Sequence, residues 1–116
     1  MLDDEAIYHL VDSTVWLGRP VGDFAPESLT TEGFVHCSYG RQLPRTVARF
    51  WPDPSDLLVL EVDINRIVDI LRVEDTAGHG EQFPHLYGPI PEAAVLTVQR
   101  WSTEQRPAAD ESVGNA

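Results

Sequence analysis

Proline and glycine punctuate this chain so often that it has no room for long elements. Nine Pro and eight Gly fall among 116 residues. Proline stops a helix and glycine loosens any element, so the apolar runs between them must be short. Ile7-Tyr8-His9-Leu10-Val11 reads as a first strand, ended by Asp12-Ser13-Thr14, which offers N-cap residues for a brief helical turn carrying Val15 and Trp16. Residues 18–26 read as loop, and residues 28–32 as a short turn before Gly33. Phe34-Val35-His36-Cys37-Ser38 reads as a second buried strand. One segment carries helical spacing: Leu43, Val47, Phe50 and Trp51 fall at i, i+4, i+7 and i+8, with Pro44 in the first turn and Pro52 and Pro54 as the stop. Leu57-Leu58-Val59-Leu60-Glu61-Val62 is the most hydrophobic strand and is expected at the centre of a sheet. Residues 67–73 form another strand, 74–80 turn polar, 83–91 make a proline-bounded ordered loop, and 94–101 close the fold. The pattern predicts an α+β chain, a mostly antiparallel sheet with one main helix, as a single domain over 1–101 with a disordered acidic tail over 102–116.

Composition narrows the function classes. Nineteen Asp and Glu oppose eight Arg, no Lys is present, and the net charge is −11. A footprint on nucleic acid or an anionic membrane surface needs an excess of basic side chains, so neither partner is expected. Without Lys there is no Schiff-base chemistry and no phosphate-binding lysine. No apolar run approaches the ~20 residues that span a bilayer, and the acidic start differs from a basic signal sequence. A lone Cys37 makes no internal disulfide. These features predict a cytoplasmic protein and leave its oligomeric state open.

Four His are few enough to weigh singly. His9 shares its strand face with Ile7 and Val11, which reads equally as a core imidazole bonded to backbone or as a cavity-lining one. His36 shares its face with Phe34 and Ser38. His79 lies between two Gly and is expected to be solvated. His85 sits in Phe83-Pro84-His85-Leu86-Tyr87-Gly88-Pro89, whose rings and prolines suit the wall of a site. His36 and Cys37 are adjacent, so on a strand they face opposite sides and cannot share an ion. A zinc held by His9, His36 and His85 is geometrically open but has no local signature, and no metal ligands are assigned. Cys37 shares parity with Val35 and Tyr39, away from His36, and is expected to be buried and chemically quiet.

The strings Ile7-Tyr8-His9, Thr31-Glu32-Gly33-Phe34-Val35-His36-Cys37-Ser38, Leu58-Val59-Leu60-Glu61-Val62-Asp63 and Phe83-Pro84-His85-Leu86-Tyr87-Gly88-Pro89-Ile90-Pro91 resemble, in order, the family called domain of unknown function 952. The resemblance runs from about residue 6 to residue 101. It implies an ADP-ribosyltransferase-like fold, a split antiparallel sheet gripping a ligand in a cleft. On that resemblance Tyr8-His9 is similar to the strand where such transferases contact the adenine-side ribose of NAD, and His36-Cys37-Ser38 to the His-x-Ser of RNA 2′-phosphotransferases. The 83–91 stretch falls where such folds bring a last catalytic residue. It therefore implies catalytic roles for His9, His36 and His85, contacts to NAD as substrate from Tyr8, Ser38, Tyr87 and Gly88, and a common cleft for the three His. No Glu aligns with the transferase position that holds a ribose hydroxyl, and Arg41, Arg45 and Arg49 are the candidates for phosphate.

Three functions follow as expectations. The first, which the resemblance implies, is an ADP-ribosyltransferase-like enzyme with a small-molecule substrate, NAD or an ADP-ribose-containing metabolite. A noncatalytic nucleotide or small-metabolite binding domain is the second. The third is a metal-assisted hydrolase.

Overall fold

The computed structural model describes residues 2–102, so the tail expected over 102–116 lies outside the described residues from 103 onward. Among the described residues, seven strands and three α-helices follow in chain order, with short 3-10 turns between some of them: β1 (Ile7–Asp12), α1 (Ser13–Leu17), α2 (Glu27–Thr31), β2 (Val35–His36), β3 (Ser38–Tyr39), α3 (Leu43–Phe50), β4 (Leu57–Val62), β5 (Leu71–Glu74), β6 (Phe83–Leu86) and β7 (Val95–Arg100). The strands make two sheets, a large one in the order β3-β1-β4-β7 and a small one in the order β2-β6-β5. Every ladder is antiparallel. The expected class, α+β with antiparallel strands and one main helix, is what forms.

Strand periodicity sorts the side chains into two cores. Ile7, Val11, Leu60 and Val62 turn to one face of the large sheet and meet Val35, Cys37 and Leu86 of the small sheet, together with Phe24, Ile67, Ile90 and Ala94. Tyr8, Leu10, Leu57 and Val59 turn to the other face, where Leu43 and Val47 of α3 cover them with Leu2 and Trp101. The order across the molecule is therefore helix, large sheet, small sheet. β4 lies between β1 and β7 and is apolar on both faces, as its composition predicts.

Local expectations fail in four places. Residues 34–38 do not form one strand: β2 belongs to the small sheet and β3 to the large one, with the chain crossing at Cys37. The 83–91 segment is not a loop throughout, because Phe83–Leu86 is the middle strand of the small sheet. Pro84 is tolerated in that strand because its missing N–H falls beside Cys37, where the neighbouring strand departs; its carbonyl still accepts from the Cys37 N–H at 3.0 Å. The strand expected at 67 begins only at Leu71, since the turn over 64–66 continues into Ile67 and Ile67 drops into the core. Phe50 leaves the apolar stripe of α3 and is 62% exposed, at the residue where the helix ends, whereas Trp51 just beyond it packs against the same core as Leu43 and Val47.

Candidate functional site

The outer face of the small sheet gathers the chemistry. Cross-strand partners share a face, and the register pairs His36 with His85 and His85 with Arg72. Residues two positions along share that face as well, which adds Phe34, Phe83, Tyr87 and Glu74. The inner face of the same strands is the apolar one that meets the large sheet.

Pairing geometry explains why the two imidazoles meet. Antiparallel pairs alternate between bonded and non-bonded kinds. The bond from the Cys37 N–H to the Pro84 carbonyl makes that pair a bonded one, so the adjoining His36–His85 pair is non-bonded. In such a pair the Cα atoms approach to about 4.5 Å and the side chains stand close. The two ring centroids are 5.6 Å apart and nearly perpendicular. Phe34 packs over both, stacked on His85 at 4.2 Å and edge-on to His36 at 4.7 Å.

Carboxylates orient both rings. Glu74 Oε2 accepts from His85 Nδ1 at 2.9 Å and also from the Tyr87 hydroxyl. These two bonds, the tyrosine's first, hold the Glu74 carboxyl below its ordinary range, and Glu74 in turn raises the Tyr87 phenol. Glu32 Oε1 accepts from His36 Nε2 at 3.0 Å. An ionised carboxylate only accepts, so in each neutral ring the proton sits on the nitrogen facing the acid and the other nitrogen carries a lone pair. His85 is 4% exposed. Its Nε2 makes no hydrogen bond among the described residues, yet no buried side-chain nitrogen or oxygen there lacks a partner, so Nε2 reaches the surface. The Arg72 guanidinium lies over the Tyr87 ring at 5.2 Å.

The structure brings together only part of the expected set. His36, His85 and Tyr87 converge, and Gly88 adjoins them in sequence; a Cβ at Gly88 would meet the Ile70 side chain, Cγ2 at 3.2 Å. His9 does not join them. Its ring lies with Ile7 and Val11 on the core side of β1, against Phe24 at 5.9 Å, and its Nδ1 donates to the His36 carbonyl at 2.7 Å. That carbonyl points to the sheet edge because a non-bonded pair turns its backbone groups outward. Burial drives the His9 pKa down to about 4, which keeps the ring neutral. The expectation of one cleft for three His is therefore corrected: the β2 backbone stands between His9 and the other two. Tyr8 and Ser38 are cross-strand neighbours on the large sheet, with Tyr8 in the core beneath α3 and its hydroxyl accepting from the Asp3 N–H at 3.0 Å.

Other expectations resolve simply. Cys37 is buried and its thiol pKa is pushed up by burial, as a quiet cysteine requires. His79 is exposed in a turn capped by Asp75. Arg41 and Arg45 pair with Glu5 and Glu81, and Arg49 lies over Phe50, so none of the three reaches the face. Glu32, Phe34, Arg72 and Glu74 are members that the sequence does not single out. The alternation Leu71-Arg72-Val73-Glu74 signals that Arg72 and Glu74 share a face, but only the pairing of β5 with β6 sets them beside His85. Among the described residues no group of three or more His, Cys, Asp or Glu converges as a metal-ligand set, and no helix is long and apolar enough to cross a membrane.

Residues 11–98 match the family described as a protein of unknown function (DUF952). The crystal structure of protein CC0527 from Caulobacter crescentus is similar over 93% of this chain and 97% of that one, at 23% identity and a TM-score of 0.72. A solution NMR structure of the same protein gives 23% identity and a TM-score of 0.69 over 96% of this chain and 98% of that one. At that identity the likeness shows a shared fold. No curated protein matches the chain.

Proposed function

The chain belongs to the DUF952 family, and for it we propose an ADP-ribosyltransferase-like enzyme that takes NAD, or an ADP-ribose-containing metabolite, on the outer face of the small sheet. One observation carries the reading: a buried imidazole, His85, is held at Nδ1 by Glu74 and turns Nε2 to the surface beside a second imidazole. That arrangement fits a general base, with the carboxylate fixing the tautomer and steadying the imidazolium that forms. In the transfer, the bond from ribose C1′ to the nicotinamide nitrogen breaks and its electron pair leaves with nicotinamide. The acceptor bonds to C1′ and gives its proton to His85 Nε2. Phe34 and Tyr87 offer rings to a flat base, and Arg72 offers a guanidinium to the diphosphate.

A noncatalytic binding domain is the second reading. It is favoured by Glu32 and Glu74 both being engaged by side chains of the face itself, which leaves neither carboxylate free to hold a ribose hydroxyl. Calorimetry with ADP-ribose and NAD, followed by assay of released nicotinamide, separates the two. The enzyme reading expects ADP-ribose binding and nicotinamide release, with His85→Gln lowering release by about 10²–10⁴-fold while binding persists. Binding without release in the wild type establishes the second reading; an absence of both overturns the nucleotide proposal.

A further inference from the structure

We propose that His36 and His85 together form a two-histidine site for a divalent transition metal such as zinc, with Glu32 and Glu74 as the outer carboxylates. The inference is independent of whether NAD is the substrate, since it rests on the lone pairs alone. Each ring is bonded through one nitrogen to a carboxylate, His36 Nε2 to Glu32 and His85 Nδ1 to Glu74. Each therefore presents the opposite nitrogen, His36 Nδ1 and His85 Nε2, as a lone pair with no partner among the described residues. A carboxylate behind the imidazole is the arrangement that metal-bound histidines take, because it fixes the tautomer and raises the basicity of the ligating nitrogen. Two imidazole nitrogens suit zinc, copper or nickel rather than magnesium or calcium.

Spacing supports this. An ion about 2.0–2.1 Å from a ring nitrogen lies about 3.2 Å from the ring centre, so two rings on one tetrahedral ion have centres about 5.2 Å apart. The observed separation is 5.6 Å. His36 is an exposed ring on a two-residue edge strand, so it can close the remaining few tenths of an ångström. Two protein ligands leave the other coordination positions to water or to an anionic ligand. The metal would occupy the same nitrogen that serves as proton acceptor, so metal binding and acid–base work at His85 exclude each other.

The test titrates the full chain with zinc chloride while imidazole nitrogen resonances are followed by NMR. A one-to-one saturable site is expected, with His36 Nδ1 and His85 Nε2 moving and the nitrogens of His9 and His79 still. Because His36 is exposed, His36→Ala should keep its fold and lose at least tenfold in zinc affinity, while His79→Ala binds as the wild type does. Glu74→Gln should weaken binding by about tenfold or more through loss of the outer carboxylate. Unsaturable binding in the wild type, unchanged affinity in His36→Ala, or movement confined to His79 would overturn the proposal.

Discussion

His9 shows how much one buried residue can decide. Its neutral ring donates to the His36 carbonyl and so ties β1 of the large sheet to the edge of the small sheet. Its pKa falls from 6.5 to about 4 on folding. Below 6.5 the unfolded chain therefore takes up a proton that the folded one refuses, and stability falls with pH between about 6.5 and 4. The full loss from this group is about 3 kcal/mol for a shift of that size. Denaturant titrations at pH 7 and pH 5 should show the loss in the wild type and a flatter response in His9→Gln; equal slopes in the two proteins would remove His9 as the cause. On the other face of the small sheet, the Tyr87 hydroxyl is the first cause of the depressed Glu74 pKa. Tyr87→Phe should raise that pKa toward the ordinary glutamate range, read from the side-chain carboxyl carbon by NMR. An unmoved titration would mean that the His85 bond alone holds the acid.

At the scale of elements, α3 illustrates a spacing that is right at Leu43, Val47 and Trp51 and wrong at Phe50. Leu43 and Val47 are buried beneath the large sheet, whereas Phe50 is 62% exposed. Leu43→Ala should cost about 2–5 kcal/mol, the usual range for emptying a packed leucine site. Phe50→Ser should stay within about 0.5 kcal/mol of the wild type. Comparable losses in the two variants, measured by chemical denaturation, would contradict the placement of the helix end. Periodicity alone could not separate these residues, because it counts turns and knows nothing of where the covering sheet stops. The 34–38 segment carries a second lesson. Its strand-like composition was legible, but a strand that changes sheets at Cys37 looks, residue by residue, like one that does not.

At the scale of the molecule, Cys37 lies in the apolar layer between the two sheets, buried and with its thiol pKa raised. A thiol there meets a reagent only when the layer opens, so alkylation of the native protein should be slow. Leu86 is fully buried in the same layer. Leu86→Ala removes about 2–5 kcal/mol of packing and should speed labelling by at least about thirtyfold if opening is global. An unchanged rate would show that Cys37 is reached by a local movement instead.

What the sequence determined by itself is what local chemistry can write. Proline and glycine limited element length, alternation in residues 7–11 and the continuous apolar run of residues 57–62 marked two strands, and the parity of Cys37 against His36 foretold a buried thiol. Only the tertiary structure decided which strands pair. That choice set His85 between His36 and Arg72, placed Glu74 within reach of His85 and Tyr87, and put His9 on the other side of the β2 backbone. The physical reason is that each pairing joins segments distant in the chain, and its register is chosen by the apolar faces that must meet in the core. The polar face follows from that choice.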